Sequence, residues 1–304
     1  MERPVVVWSE AYACDIGAHV FPVEKYARVH AMLLAAGDVA PGGTFNPAPP
    51  GRELLALAHT GAYLDDLEAL RETHRTVRSE LPVTADVVRA FSLAAAGTTL
   101  AAREALRRGV AVHVGGGLHH AHADHAEGFC YVNDLAIAAH AMLREELVER
   151  IAVVDLDVHQ GNGTAAMFAN DPRVFTFSMH QERNYPVPKA RSDLDVGLED
   201  ATDDDAYGAA LAPAMERVWA GRPQLVLYQA GADPFHDDQL GGLALSFAGL
   251  AERDRAVLEG CAARGIPVVV TLGGGYARRV EDTVRIHVET CRMALRLGGR
   301  TTRG

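Results

Sequence analysis

Three side chains that could hold a divalent metal ion follow two apolar, strand-like segments. Asp157 and His159 stand two residues apart, so an extended backbone would point both side chains to the same side. Asp233 follows a second segment of this kind. Two carboxylates and one imidazole leave coordination positions for water, which is typical of a catalytic rather than a structural metal site. The alternative interpretation is that these residues cap turns, as aspartate often does after a strand.

Two adjacent histidines and one tyrosine could move protons and stabilise charge beside such a metal. Imidazoles titrate near neutral pH, so His119 and His120 are candidates for an acid and a base. Tyr276 follows three glycines, and its phenol could donate a hydrogen bond to a developing oxyanion. A metal site built from these two histidines with His122 and His125 is the weaker interpretation, because that loop has no cysteine and no helical spacing.

The elements that must position these residues alternate along the chain. Short runs rich in β-branched residues are separated by amphipathic stretches, which predicts a mainly parallel sheet with helices on both faces. The predicted strands cover 5–8, 110–114, 151–155, 174–178, 225–229 and 268–271. The predicted helices cover 85–107, 133–148, 204–219, 246–264 and 279–296. The Pro- and Gly-rich segment 41–51 is predicted to be a surface loop between two helices.

Polar clusters stand immediately after five of the predicted strands. They cover 115–120, 155–159, 178–180, 230–233 and 273–276. Open parallel sheets bind ligands at the carboxyl ends of their strands, so we expect these clusters to converge on one cleft. Asp237 and Asp238, slightly further along, are interpreted as solvated turn residues, and the alternative is that they lie on the rim of the cleft and attract a cationic peptide.

Composition narrows the range of partners. The 304 residues include 29 Lys and Arg against 40 Asp and Glu, a net charge of -11. This charge argues against direct nucleic-acid binding and favours a cationic peptide or polyamine. The four cysteines form no CxxC pair, the N-terminus is too polar for a secretory signal, and no apolar run has membrane-span length. We therefore expect one cytoplasmic domain over 1–304 with a loose tail at about 296–304, and leave the oligomeric state open.

Five ordered motifs resemble those of the zinc-dependent histone deacetylase superfamily. They are GGGLHHA (115–121), GFCYVND (128–134), DLDVHQGNG (155–163), AGADP (230–234) and LGGGY (272–276). The segments HVFP (19–22) and HTGAYL (59–64) extend the match over nearly the whole chain. The QGNG sequence at 160–163 and the short chain length are most similar to those of class IV-type bacterial members. The resemblance implies a three-layer arginase-like fold with a central, mainly parallel sheet of eight strands.

The resemblance also implies roles for individual residues. One Zn²⁺, which Fe²⁺, Co²⁺ or Mn²⁺ could replace, is implied at Asp157, His159 and Asp233. The implied catalytic residues are His119, His120 and Tyr276, with Asp155 and Asn162 orienting the two histidines. A K⁺ site is implied at Asp155, Asp157, His159, Ser178 and Met179. The implied substrate channel includes Phe129, Tyr185, Gly128 and Gly274.

Two positions depart from relatives on this fold. Many family members carry Asp where this chain has Asn162, and a neutral amide can orient His120 without raising its pKa as a carboxylate would. We therefore expect His120 to be less basic than in those relatives. Binuclear manganese ureohydrolases carry a further Asp where this chain has Gly161, so we expect a single metal ion.

The reaction implied by the resemblance is hydrolysis of an amide between an acyl group and an amine. The first interpretation of the substrate is an acylated lysine in a peptide or protein. An acylated polyamine or another small-molecule amide is the alternative, and a catalytically silent acyl-lysine-binding module is a more distant one. Acyl-chain length is left open, although class IV-like relatives favour long fatty acyl groups.

Overall fold

Within residues 3–298, which the computed structural model describes, eight strands form one sheet with parallel pairings throughout. The strands are β1 (Val5–Val7), β2 (Thr44–Phe45), β3 (Val110–His113), β4 (Ile151–Asp155), β5 (Val174–Gln181), β6 (Leu194–Leu198), β7 (Leu225–Gln229) and β8 (Val268–Thr271). Their order across the sheet is β2-β1-β3-β8-β7-β4-β5-β6. The predicted fold class, an eight-stranded parallel sheet between helices, is confirmed.

Helices cover both faces of the sheet. They are α1 (Lys25–Ala35), α2 (Arg52–Leu55), α3 (Gly61–Glu68), α4 (Ala85–Arg108), α5 (Asp134–Arg144), α6 (Asn162–Phe168), α7 (Asp204–Ala220), α8 (Phe247–Arg264) and α9 (Val280–Gly298). Along β4, Ala152 and Val154 belong to one buried apolar cluster, whereas Ile151 and Val153 belong to another. Because both faces are covered, the central strands are apolar at successive positions.

The start of α5 holds the loop that follows β3. Asn133 caps this helix by accepting a hydrogen bond from the Ala136 amide at 2.9 Å, and its own amide nitrogen donates to the Ala121 carbonyl at 3.2 Å. The next residue, Asp134, accepts hydrogen bonds from the backbone amides of Gly117 and Leu118 at 2.9 and 2.6 Å. One helix end therefore positions the loop that carries the paired histidines.

Two strands were not predicted from the sequence. The segment 41–51 contains β2, so the prediction of a loop throughout this segment is wrong; β2 is a two-residue strand that pairs with β1. Strand β6 lies at the opposite edge of the sheet, where Asp195 and Gly197 are exposed and no continuous apolar run is required.

The C-terminal helix extends further than the sequence predicts. Helix α9 continues to Gly298, so residues 296–298 of the expected tail are helical, and 299–304 lie outside the described residues. None of the helices within 3–298 is long and apolar enough to cross a membrane.

Candidate active site

Loops at the carboxyl ends of the strands line a cavity of about 220 Å³. The loop after β3 contributes His120, the loop after β4 contributes His159, and the loop after β8 contributes Tyr276. These side chains come from three of the five polar clusters in the sequence. The sheet brings these side chains together because the carboxyl ends of parallel strands all lie on the same side of the sheet.

The three candidate metal ligands form a compact, buried group, and one of them, His159, lines this cavity. One side-chain atom from each of Asp157, His159 and Asp233 lies within 4.8 Å of the others. The His159 Nδ1 atom is 3.1 Å from Asp157 Oδ1 and 3.4 Å from Asp233 Oδ2. Backbone amides hold the carboxylates, because Gly274 donates to Asp157 Oδ2 and Val158 donates to Asp233 Oδ1, both at 2.9 Å.

Two features of this group fit a bound cation. The Asp233 Oδ2 atom is buried and has no hydrogen-bond partner, although buried carboxylate oxygens are normally paired. Burial and the neighbouring Asp157 carboxylate raise the pKa of Asp233 to about 7. A divalent ion would satisfy the unpaired oxygen and offset the repulsion between the two carboxylates.

A glycine leaves room for the two carboxylates. A Cβ atom at Gly274 would lie 1.9 Å from Asp233 Oδ2 and 2.7 Å from Asp157 Oδ2, so any side chain would displace the ligand group. The structure therefore places Gly274, which the resemblance implies for the substrate channel, against the carboxylates of the candidate metal ligands.

The paired histidines have opposite electrostatic surroundings. The His119 Nδ1 atom lies 2.6 Å from Asp155 Oδ2. Burial lowers the pKa of His119, but the Asp155 and Asp157 carboxylates outweigh burial and raise it to about 9. Burial, together with His119 and His159, lowers the pKa of His120. Two adjacent imidazoles with separated pKa values can hold different protonation states at one pH, as acid and base chemistry requires.

A neutral amide holds the second histidine. The Asn162 Oδ1 atom lies 2.7 Å from His120 Nδ1. Asn162 is the first residue of α6, and the His119 carbonyl accepts a hydrogen bond from the Thr164 amide at 3.1 Å in the same turn. The first turn of α6 therefore contacts both the backbone of His119 and the side chain of His120.

Tyr276 is held from behind by a buried carboxylate. The Tyr276 backbone amide donates to Asp238 Oδ2 at 2.6 Å, and Asp238 is only 7% exposed. Asp238 follows a turn and forms an isolated β-bridge with Ala277, so the prediction of a solvated turn residue is wrong. Burial and the Asp233 carboxylate raise the pKa of Tyr276, so its hydroxyl remains a hydrogen-bond donor.

Aromatic rings form the wall of the cavity. Gly128, Phe129 and Tyr185, which the resemblance implies for the substrate channel, all line it, and their contact with substrate stays a prediction. The Phe129 ring lies 6.0 Å from the Tyr276 ring, and the Tyr185 ring lies 4.9 Å from the His120 ring. Glu80 also lines the cavity but was not identified from the sequence, because a lone exposed glutamate before a Leu-Pro pair carries no distinguishing pattern.

The other histidines and the implied K⁺ residues lie around this centre. His122 and His125 do not join His119 and His120 in one site; they group with Glu127, and these three side chains could also hold a metal ion. Ser178 pairs in register with Asp155 across β4 and β5, and Met179 follows it. Strand β5 continues to Gln181, so Ser178 and Met179 lie within this strand and not after it, and the role of the implied K⁺ residues stays a prediction.

Comparison with known proteins identifies the family. The histone deacetylase domain matches residues 19–291. The chain is 44% identical over 285 residues to an uncharacterized protein of Picosynechococcus sp., covering 93% of this chain and 95% of that protein. It is 31% identical over 303 residues to histone deacetylase 2 of Arabidopsis thaliana, covering 93% and 78%. It is 29% identical over 300 residues to histone deacetylase RPD3 of Saccharomyces cerevisiae, covering 88% and 67%. The chain therefore belongs to the histone deacetylase family and is a hydrolase that acts on acyl amides.

Proposed function

We propose that this chain is a Zn²⁺-dependent deacylase that hydrolyses the side-chain amide of acylated lysine in peptides or proteins. The observation that carries the proposal is the buried Asp157, His159 and Asp233 group, whose His159 lines one cavity together with His120 and Tyr276. A metal site, a base and a hydrogen-bond donor thus face one small cavity, which is the arrangement that amide hydrolysis needs.

Asp157, His159 and Asp233 would hold the metal ion. When bound, the ion supplies Lewis-acid polarisation of the acyl carbonyl and lowers the pKa of a water molecule. Two carboxylates and one imidazole also accept Fe²⁺, Co²⁺ or Mn²⁺, so the choice of Zn²⁺ rests on the family resemblance.

The remaining steps belong to the side chains around the cavity. His120 accepts a proton from the attacking water while the water oxygen bonds to the carbonyl carbon. The Tyr276 hydroxyl donates a hydrogen bond to the resulting oxyanion. As the carbon–nitrogen bond breaks, protonated His120 or the neighbouring His119 donates a proton to the leaving amine. The products are a carboxylic acid and a free amine.

Charge at the cavity supports a cationic or peptide substrate. Glu80 is an exposed carboxylate on the cavity wall, where it can accept hydrogen bonds from a peptide backbone or from an ammonium group. The net charge of -11 acts in the same direction over longer distances. These features suit a lysine peptide and an acylated polyamine alike, so the polyamine remains the second candidate.

The proposal extends to several properties that rest on the sequence. We place the chain in the cytoplasm as one catalytic domain of the class IV type, without direct nucleic-acid contact. K⁺ is proposed beside Asp155, the last residue of β4, and Ser178, which pairs with it from within β5. Short loops favour longer acyl groups as well as acetyl.

The test is turnover of one lysine peptide carrying acetyl, butyryl, octanoyl or myristoyl groups, beside acetylated polyamines. Zinc-loaded wild type is compared with Tyr276→Phe, which we expect to lower turnover by about 10²–10³ because one oxyanion donor is lost. Tyr63→Phe is the matched control, since it removes a buried hydroxyl that donates to the Tyr131 carbonyl at 2.5 Å, away from the cavity.

The outcomes separate the candidates. A Tyr276-dependent preference for one acyl peptide supports the deacylase, and preference for polyamines supports the second candidate. A Tyr276→Phe variant that keeps most of its activity would refute the assigned role of the hydroxyl. Zinc bound at one per chain with no turnover of any acyl amine would indicate a binding module instead.

A further inference from the structure

Glu127 is a carboxylate beside the histidine pair, hydrogen-bonded to Asn162 and close to the cavity-lining Tyr185. It is buried, and its Oε1 atom accepts a hydrogen bond from Asn162 Nδ2 at 2.6 Å. The same Asn162 amide presents Oδ1 to His120 Nδ1 at 2.7 Å. Glu127, Asn162 and His120 therefore form a continuous chain of side-chain hydrogen bonds that ends at the cavity.

The chemistry of the carboxylate determines which way the amide points. An ionised carboxylate only accepts hydrogen bonds, so it must face the NH₂ group of Asn162 and not its oxygen. His122 Nε2, at 3.1 Å from Asn162 Nδ2, can accept the second amide hydrogen. With its NH₂ group turned towards Glu127, Asn162 leaves Oδ1 for His120, whereas the reversed amide would set its oxygen against the Glu127 carboxylate.

Glu127 remains ionised because other groups stabilise its charge. Arg78 donates to Glu127 Oε2, and His125 Nε2 lies 3.3 Å from the same oxygen. Burial raises the pKa of Glu127, but the hydrogen bonds from His125 and Asn162 outweigh burial and lower it to about 2. The carboxylate is therefore an acceptor across the pH range of ordinary enzymes.

We infer that Glu127 is a positioning residue that sets the tautomer of His120 through Asn162. Because Asn162 Oδ1 can only accept, His120 Nδ1 must carry the proton. His120 Nε2 is then the atom with the free lone pair, which a base needs. This inference rests on the proposed function for its catalytic meaning, although the tautomer itself is a property of the protein.

The decisive variant is Glu127→Gln, which keeps the shape and removes the charge. Arg78 only donates, so the introduced glutamine would turn its oxygen towards Arg78 and its NH₂ group towards Asn162. Asn162 would then reverse, and His120 would carry its proton on Nε2. We expect kcat to fall about 10- to 100-fold with KM little changed, the range found when a residue behind a catalytic group is removed.

A double variant is expected to restore the proton on His120 Nδ1 through a different set of hydrogen bonds. Asn162→Asp alone would place two carboxylates against each other at the position of a 2.6 Å hydrogen bond, and we expect it to lose activity. When Asn162→Asp is combined with Glu127→Gln, the NH₂ group of the introduced glutamine would donate to the introduced aspartate. That aspartate would in turn accept from His120 Nδ1. We expect the double variant to be at least tenfold more active than Asn162→Asp.

The tautomer can also be observed without turnover. In zinc-loaded protein labelled with ¹⁵N-histidine, the His120 nitrogens are assigned by their loss in His120→Asn. Wild type and the double variant should show a protonated Nδ1 and an unprotonated Nε2, and Glu127→Gln should show the reverse. Glu104→Gln is the matched control, because Glu104 is another buried carboxylate that pairs with arginine, on helix α4.

The ¹⁵N shifts are the deciding measurement, because Glu127→Gln also changes the surroundings of the cavity-lining Tyr185. Unchanged ¹⁵N shifts and unchanged kcat in Glu127→Gln, relative to Glu104→Gln, would overturn the inference, as would a double variant no better than Asn162→Asp. If wild type hydrolyses no acyl amide, the proposed function fails, while the ¹⁵N pattern still decides whether Glu127 sets the tautomer.

Discussion

Asp238→Asn tests whether a buried carboxylate behind the cavity holds Tyr276 in place. Asp238 accepts three backbone hydrogen bonds: Oδ1 from Leu240 and Gly241 at 2.9 Å each, and Oδ2 from Tyr276 at 2.6 Å. Asparagine offers one oxygen for these three donors, and its NH₂ group would face the donor that is left. The Leu240 and Gly241 pair shares one oxygen, so the Tyr276 amide is the donor expected to lose its partner.

The size of the effect follows from this count. A buried donor left without a partner costs about 1–3 kcal/mol, so we expect the free energy of unfolding to fall by about 2 kcal/mol. The Tyr276 backbone amide and the NH₂ group of the introduced asparagine would face each other as two donors. The loop that carries Tyr276 must shift to separate them, and this shift moves the Tyr276 hydroxyl. Loss of that hydroxyl sets an upper limit of about 10²–10³ in turnover, and we expect Asp238→Asn to lower kcat about tenfold.

The assay is a double-mutant cycle in kcat with Tyr276→Phe, together with urea unfolding of each variant. If Asp238 acts through Tyr276, adding Asp238→Asn to Tyr276→Phe should change kcat little. The neighbouring Asp237→Asn is the control, because its partly exposed carboxylate lies 3.4 Å from the Arg278 guanidinium and such pairs contribute about 0–1 kcal/mol. A tenfold loss in both backgrounds, or wild-type kcat in Asp238→Asn, would refute the reasoning.

Three further predictions concern the metal, pH and the cavity mouth. Zn²⁺ at about 100 times its Kd should raise the free energy of unfolding by about 2.7 kcal/mol in wild type and not in Asp233→Asn, as measured by urea unfolding of stripped and reloaded protein. Burial lowers the pKa of His59 to about 4, so its contribution to stability is complete above pH 6.5 and is lost as pH falls towards 4. Relative to His59→Gln, wild type should lose about 2 kcal/mol between pH 8 and pH 5, and parallel stability curves would contradict this. Glu80→Gln should raise KM for a lysine peptide and leave kcat unchanged, whereas the exposed control Glu72→Gln should change neither.

The central strands could be predicted because they are buried on both faces. A run such as Ile151–Asp155 is apolar at successive positions whichever face each residue meets, so the sequence alone identifies it. Strand β6, at one side edge of the sheet, has exposed residues and therefore no continuous apolar run. Strand β2 consists of only two residues, which are recognised as a strand because they pair with β1. Edge strands depend on the partner that they meet, and the partner is remote in sequence.

The ligand group and the histidine pair were also visible in the sequence. Asp157 and His159 share one short motif, and parallel strands end at the same edge, so local spacing and fold class together predict that Asp233 joins them. The structure adds the unpaired Asp233 oxygen and the separate surroundings of His119 and His120, which depend on burial and on neighbours from other loops.

The residues behind the site were decided by tertiary structure alone. Asp238 bonds to an amide 38 residues away and Glu127 to an amide 35 residues away, across loops with no regular spacing. In the sequence, Asp238 and Glu127 are acidic residues in polar segments. The sequence does not distinguish an acidic side chain that faces water from one that binds a buried amide. The sequence determines which side chains can do chemistry, whereas their protonation and orientation depend on which distant groups the folded loops bring into a low-dielectric interior.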